Sequence, residues 1–504
     1  MLLVDLVIAT ETVAATRSRR EKVAALSEAL GRLTPDEAVP AIGLLVGKPR
    51  QGRLGVGWRT MQAIQAEPAD EPALTISDVD GAFSALAAAG GQGSAAERVT
   101  VLGDLLARTT PREQEFLTRT ILGDVRTGAL EGVVTDAVAQ ASGIPLDIVR
   151  RAAMLTGDLG ETARLALSGA DLEAVGLAVG RAVLPMLAAT AATAAEAVTA
   201  AGTASVEYKL DGARIQVHRS GDEVRVFTRG LADITERLPE VVEAVRGLDV
   251  HAAIFDGETL ALAEDDMPRP FQETMSRFGA HARETVLRPW FFDILHVDGR
   301  DLLDQPLAVR RAELERVAAD YRIPGEVTAD PAVAERVAAE ALAAGHEGVV
   351  VKAIDAPYAA GRRGASWLKV KPVHTFDLVV LAAEWGYGRR TGWLSNLHLA
   401  ARDPAGEFGE PGAFVMVGKT FKGLTDALLR WQTERFPELA VRETAGTVWI
   451  APEIVVEIAI DGVQRSTRYP GGIALRFARV KRYREDKRPQ DADTIQALRA
   501  LLRA

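Results

Sequence analysis

The run Glu207-Tyr208-Lys209-Leu210-Asp211-Gly212-Ala213-Arg214 sets a lysine two residues before an Asp-Gly pair and an arginine two residues after it. That spacing suits covalent chemistry at the phosphorus of a nucleotide. A lysine attacks only as the neutral amine, and with an ordinary pKa of about 10.4 only about 0.04% of it is neutral at pH 7. A site that uses Lys209 is therefore expected to depress that value by burial or by neighbouring cations, for which Arg214, Lys369 and Lys371 are available. Gly212 leaves room for the backbone to approach a phosphate. Alone, the short box fits a surface hairpin with a solvated lysine equally well. Further motifs suited to nucleotide handling follow it in order and change that balance.

Glu207 precedes Lys209 by two residues and so shares its face of a strand. It is placed to accept a hydrogen bond from an adenine amino group; a surface salt bridge is its plainer reading. Phe255-Asp256-Gly257-Glu258 and His346-Glu347-Gly348-Val349-Val350-Val351-Lys352 each set an acid beside a strand. Such pairs are common turns, but carboxylates that converge can hold a divalent metal or a ribose hydroxyl. Trp290-Phe291-Phe292-Asp293 places aromatics on a strand, where most rings are core and one can stack on a base. Ser366-Trp367-Leu368-Lys369-Val370-Lys371 is more specific, because two lysines at i and i+2 share one face. Two like charges turned inward are costly without an anion, and a polyphosphate supplies one. The run 475–488 holds seven Lys/Arg against two acids. It fits a solvated edge strand, but its interleaved aromatics and arginine density favour phosphate contact.

These residues need elements to hold them. Residues 1–195 predict a helical domain: Leu, Ala and Val recur at helical spacing through 23–33, 99–107 and 135–141. Thr34-Pro35-Asp36-Glu37 and Thr110-Pro111-Arg112-Glu113 read as first helical turns, and Gly143-Ile144-Pro145 as a helix end and restart. The Ala/Thr-rich stretch 188–204 reads as a linker. A mixed α+β domain is expected over 200–372, with a turn at Ser220-Gly221-Asp222, strands at 253–262, 290–294, 348–354 and 367–370, and helices at 307–321 and 333–344. Over 373–504 short strands at 377–383, 397–401, 413–417, 447–450 and 454–460, with a helix at 424–436, predict a five-stranded all-β barrel of the OB type.

The chain has 504 residues, enough for three or four domains, and 48% of them are hydrophobic, which speaks against disorder. It has no cysteine, which excludes disulfides, thiolate zinc sites and a cysteine nucleophile and fits a reducing, cytoplasmic setting. The first nine residues are apolar but carry Asp5 and no basic flank, so no signal peptide is expected. The uncharged stretch 182–195 is too short to span a bilayer, and no membrane partner is expected. A net charge of −10 argues mildly against a polyanionic partner, but local basic patches outweigh it.

Taken together, the motifs closely resemble the covalent nucleotidyltransferase superfamily and, within it, the ATP-dependent DNA ligases of the archaeal, eukaryotic and actinobacterial type. The resemblance runs through the last three hundred residues in order. It implies that Lys209 becomes adenylylated by ATP, with Mg²⁺ as the metal. It matches Glu207, Arg214 and Arg229 to adenine and ribose contacts, Glu258 to the third-motif acid and Phe292 to the adenine-stacking aromatic. Glu347 matches the fourth-motif acid, and with Glu258 it is the expected metal ligand. Arg363, Lys369 and Lys371 match the fifth motif and its upstream arginine, and Arg482, Arg484, Asp486 and Lys487 the terminal Arg-x-Asp-Lys element. Gly230 stands where the family often has Asn. In the helical region Phe116-Leu117-Thr118-Arg119, Leu122-Gly123-Asp124-Val125-Arg126-Thr127-Gly128, Asp136-Ala137-Val138-Ala139 and Pro185-Met186-Leu187-Ala188 resemble the ligases' DNA-binding domain and the stretch after it.

The resemblance implies a monomer that encircles nicked double-stranded DNA and seals it in three phosphoryl transfers; sliding clamps or repair factors as partners are not readable. An RNA ligase or a capping guanylyltransferase shares the Lys-x-Asp-Gly chemistry but not the two hundred helical residues upstream. A nicotinamide-dependent ligase usually carries a four-cysteine zinc module. A catalytically inactive DNA-binding protein is the rival of another class.

Overall fold

The computed structural model describes residues 1–64, 66–123, 131–263, 267–269, 271–276, 286–359, 363–387 and 390–502. Up to Leu167 the described chain is helical, from Leu3–Ala15 to Leu159–Leu167. The helices start where the sequence supplies caps. Thr34 and Thr110 each build a capping box, their N–H groups donating to Glu37 at 3.0 Å and to Glu113 at 2.8 Å. Leu6, Leu30, Leu45, Phe83, Leu102, Leu117 and Val138 belong to one core.

The Ala/Thr-rich stretch is not a linker. Strand Leu187–Thr190 pairs in parallel with strand Arg363–Val370, and helix Ala194–Ala201 buries Ala194, Ala197 and Val198. Alanine is small and helix-favouring, so a buried helix here reads in sequence like a flexible spacer. The connection between the helical and the α/β regions lies earlier and is itself stitched down. Val183 N–H donates to Gln216 at 2.8 Å, and Met186 N–H to the Tyr358 hydroxyl at 3.0 Å.

Two five-stranded sheets form the α/β region. The first runs Leu187–Thr190, Arg363–Val370, Gly348–Ala353, Ala204–Lys209, Gly325–Thr328; the second runs Glu223–Thr228, Ala213–Ser220, Ala252–Ala261, Leu287–Val297, Arg300–Asp301. Each buries one face against helices. Val206, Val349, Val351, Leu368 and Val370 pack under helices Ala194–Ala201 and Pro331–Ala343. Ile215, Val217, Phe255 and Phe291 pack with Val241 and Val245 of helix Pro239–Arg246 and Leu314 and Val317 of helix Leu307–Ala318. Because strand side chains alternate, the opposite faces carry Ser205, Glu207, Lys209, Lys352 and Trp367 on one sheet and Arg214, Asp256 and Glu258 on the other. These two faces form the walls of a cleft.

From His374 onward the chain is β-rich. One sheet holds seven strands rather than the five expected. The long strand His374–Trp385 pairs with Leu394–Asp403 on one edge, and on the other with Val455–Ile460 along its first half and Thr447–Ile450 along its second. The additional strands Ala440–Glu443 and Arg479–Tyr483 are short, carry adjacent charges (Arg442-Glu443 and Lys481-Arg482) and show little apolar periodicity. Helix Asp426–Glu438 buries Leu429 and Phe436 in the same core, and a separate ribbon pairs Gly462–Arg465 with Ile473–Arg476. No helix among the described residues is long and apolar enough to cross a membrane.

Candidate active site

Lys209 ends strand Ala204–Lys209, and the following Leu210, Asp211 and Gly212 carry the chain across to the second sheet. Two glycines make this crossing possible. A Cβ on Gly212 would lie 2.5 Å from the Thr259 carbonyl oxygen, and one on Gly348, whose φ is +141°, would lie 2.2 Å from the Val370 oxygen. The strand partners are thereby brought close enough for the Glu347 N–H to donate to the Lys209 carbonyl at 2.9 Å.

The Lys209 ammonium donates to Glu347 Oε2 and reaches the Leu210 carbonyl at 3.4 Å. Glu258 stands on the opposite wall, accepting from Gly212 N–H at 3.1 Å. This surrounding is the reverse of the one expected for a primed nucleophile. Burial pushes the amine's pKa down, but Glu347, Glu258 and Asp211 outweigh it and hold the amine above an ordinary lysine. The acids, not Arg214, Lys369 or Lys371, dominate its field. They complete the picture from their side: burial pushes Glu258 up to about 7, Lys209 and the Gly212 N–H oppose that rise, and the Glu347 charge adds to it.

Arg214 is held on the floor of the cleft. Its guanidinium donates to Asp256 Oδ1 at 3.1 Å and Oδ2 at 2.7 Å, and to the Met186 carbonyl at 2.7 Å. The Tyr358 hydroxyl donates to the same Asp256 at 2.6 Å. The Arg214 guanidinium carbon lies 5.3 Å from the Phe292 ring centre, and Phe292 meets Trp367 edge-on at 5.8 Å. Glu207 is buried, accepts from the Ser205 hydroxyl at 2.8 Å and lies 2.6 Å from Lys352 Nζ.

Arg476 of the C-terminal domain enters the cleft and donates to Asp211 at 2.5 and 3.0 Å, with Glu347 3.8 Å away. Burial alone would raise Asp211, yet the Arg476 hydrogen bonds and charge hold it below the usual carboxylate range. Lys371 is met by Asp461 of the same domain at 2.6 Å, and Asp461 also accepts from Arg479 at 3.2 Å. The anion that the lysine pair requires is thus supplied, for Lys371, by a protein carboxylate.

Lys209, Glu207, Arg214, Glu258, Phe292 and Glu347 come together as the sequence implies, and Lys369 lies on the same sheet. Arg229 is exposed beyond strand Glu223–Thr228 and makes no ion pair with the cluster among the described residues. Arg363 opens its strand, but its side chain lies outside the described residues. The terminal element sits elsewhere. Arg482 donates to Glu457 at 2.9 Å, Arg484 to Asp377 at 3.0 and 3.2 Å and to Asp486 at 2.6 and 2.8 Å, and Lys487 pairs with Asp377. Sequence reasoning assigned no individual role to Asp211, Asp256, Lys352, Tyr358, Asp461 or Arg476. Asp211, Asp256 and Lys352 lie inside the quoted motifs and Arg476 inside the basic run 475–488; nothing local marks Tyr358 or Asp461.

Known proteins match this chain throughout. The family described as "ATP dependent DNA ligase domain" matches residues 185–371, "ATP dependent DNA ligase C terminal region" matches 390–487, and "DNA ligase N terminus" matches 59–139. A protein of Pseudarthrobacter chlorophenolicus named "Probable DNA ligase" is 66% identical over the whole of both chains, and one of Rhodococcus jostii with the same name is 60% identical over the whole of both. The chain belongs to the ATP-dependent DNA ligase family. It is a DNA ligase that uses ATP and works through a lysyl-AMP intermediate, as its family does. The solved structure titled "Pmar-Lig_PreS3" superposes with a TM-score of 0.64 over 95% of this chain and 99% of that one; at 16% identity it shares the fold.

In this ligase the family-like segments of the helical region are largely framework. Phe116 and Leu117 are buried, and Asp136 pairs with Arg19 at 2.6 Å and Arg150 at 2.9 Å. Residues 124–128 of that set lie outside the described residues.

Proposed function

We propose that Lys209 is the amine that takes AMP from ATP, expelling pyrophosphate, and passes it to the 5′-phosphate of a nick, whereupon the 3′-hydroxyl attacks and AMP leaves. The observation that carries the assignment is the position of the Lys209 ammonium, at the edge of the cleft between Glu347 on its own sheet and Glu258 on the other. All three transfers are phosphoryl chemistry, in which positioning and charge stabilisation dominate.

The resting amine is protonated and neutralised by acids. ATP binding must therefore change its surroundings before attack. Glu258 and Glu347 are hard oxygen donors on facing walls beside Lys209, and burial raises Glu258 with the Glu347 charge adding to it, so a cation between them would relieve both, which fits a site for Mg²⁺. No group of three or more metal-ligating side chains occurs among the described residues, so phosphates and water would complete the shell, the usual pattern for that ion. When bound, Mg²⁺ neutralises phosphate charge. The protein's own share is to hold Arg214 through Asp256 and Tyr358, to present Lys369 and Lys371 to the phosphates, and to stack the base on Phe292.

The C-terminal β-domain, read as an OB-fold from residue 373, closes on the cleft through Arg476. Arg482, Arg484, Asp486 and Lys487 reach the nucleotide only after that domain turns, and a further turn admits DNA. The helical region, ending before the segment that leads to Leu187, completes a ring around the duplex. A monomer suffices for this clamp.

The test uses Lys209→Arg and Lys209→Ala. A guanidinium does not lose its proton in a protein, so neither variant forms labelled adenylyl-enzyme from α-labelled ATP, while both retain residual sealing of a pre-adenylylated nick. Labelling of either variant at the wild-type level overturns the assignment.

A further inference from the structure

Lys352 is a buried cation that the reaction, as described, does not use. It stands in the middle of strand Gly348–Ala353, in register with Ser205 on one neighbouring strand and Trp367 on the other. All three project from the cleft face of the sheet. Its ammonium is 2.9 Å from the Phe292 carbonyl, to which it donates, and 4.4 Å from the ring centres of both Phe292 and Trp367. It is also 2.6 Å from Glu207 Oε2. Lys352 and Glu207 are 2% and 3% exposed, so water screens neither charge.

The Glu207 carboxylate is held on all sides. The Ser205 hydroxyl donates to Oε1 at 2.8 Å. Gly325 faces it on the neighbouring strand, where a Cβ would lie 2.9 Å from Glu207 Cγ. Oε2 has no donor aligned along a lone pair, in spite of the nearby ammonium. One carboxylate oxygen is therefore fixed, buried and still able to accept. Arg311 on helix Leu307–Ala318 adds a second positive field at Glu207, but Lys352 is the cation in contact with it.

We infer that Lys352 is the positioning residue for base selection: its contact keeps Glu207 an acceptor-only carboxylate, which matches the 6-amino group of adenine and opposes the 6-oxo group of guanine. A carboxylate offers no hydrogen to guanine O6, whereas a neutral carboxylic acid or amide offers one. Without that cation the buried carboxylate is left uncompensated, and the acceptor held at Oε2 is lost with it. The inference rests on the reading of this cleft as the ATP site.

The experiment measures transfer of label from α-labelled ATP and, separately, α-labelled GTP to the protein, for wild type, Lys352→Met, Glu207→Gln and the double variant. Wild type takes label from ATP in preference to GTP. Lys352→Met and Glu207→Gln each shrink the ATP-to-GTP ratio by about tenfold or more, the effect of one buried hydrogen-bond mismatch. The double variant shows no further shrinkage, because Lys352 acts through Glu207. Should Lys352→Met fail to fold, the double variant, which removes both charges together, is compared with Glu207→Gln instead. A ratio unchanged in Lys352→Met or in Glu207→Gln, or one that shrinks further in the double variant, overturns the inference. Absence of any label from ATP on the wild-type protein refutes the ATP-site reading itself, a distinct failure.

Discussion

The Arg476 guanidinium grips both carboxylate oxygens of Asp211, at 2.5 and 3.0 Å, and so fastens the C-terminal β-domain to the loop that follows Lys209. Lys371 and Asp461, 2.6 Å apart, make a second fastening between the same two domains in the opposite polarity. Both pairs are largely shielded from solvent, where charged hydrogen bonds hold best.

The two fastenings define the closed state. Arg476→Ala with Asp461→Ala removes one partner from each, at about 1–3 kcal/mol apiece. The expected outcome is an opened enzyme, visible in small-angle scattering as a larger radius of gyration than wild type, with thermal unfolding of the separate cores preserved. Superimposable profiles for the two proteins would mean that these pairs do not set the arrangement.

A stability effect of pH is expected at Glu384. This carboxylate accepts from His398 at 2.9 Å and from Asn396 at 2.7 Å, and pairs with Lys419. Burial raises its pKa, but these partners overcome that and bring it down to about 2, against 4.5 unperturbed. A depressed folded-state value gives stability that is present above pH 4.5 and is lost as the pH falls towards 2. Glu384→Gln is accordingly less stable than wild type at pH 7, by about 1–3 kcal/mol, and the gap in melting temperature closes across that acid window. A gap of constant size from neutral to acid pH contradicts this.

How much of this was legible in the sequence follows from which interactions are local. The cleft face was readable, because Glu207 and Lys209 alternate with Val206 and Tyr208 and only the latter pair face the helices. The capping boxes at Thr34 and Thr110 were readable for the same reason: each is complete within four residues. The charge state around Lys209 was not. It depends on Glu347, 138 positions away in the chain, whereas the sequence reading set the cations Arg214, Lys369 and Lys371 beside the amine. Arg476 and Asp211 are 265 positions apart, and no periodicity singles out that arginine from the others in its run. The Ala/Thr-rich stretch misled because alanine marks a buried small helix and a loose spacer alike. The barrel expectation fell short by two strands because Ala440–Glu443 and Arg479–Tyr483 lie largely at the solvent-facing edges of the sheet and lack an apolar alternation.

DNA contact should go mainly to phosphates, since an enzyme that seals any nick cannot read bases. Affinity for nicked duplex is expected to fall linearly in log–log form with salt, with little change between unrelated sequences of equal length. Titrations at low and moderate salt check both points; a flat salt response or a marked sequence preference speaks against phosphate-led binding.

The central claim is a phosphorus–nitrogen bond at one amine. Wild-type protein incubated with ATP and magnesium, digested and sequenced by mass spectrometry, is expected to carry a single adenylate on the peptide containing Lys209, removable by nicked DNA. An adenylate on another residue, or none on any peptide, contradicts it.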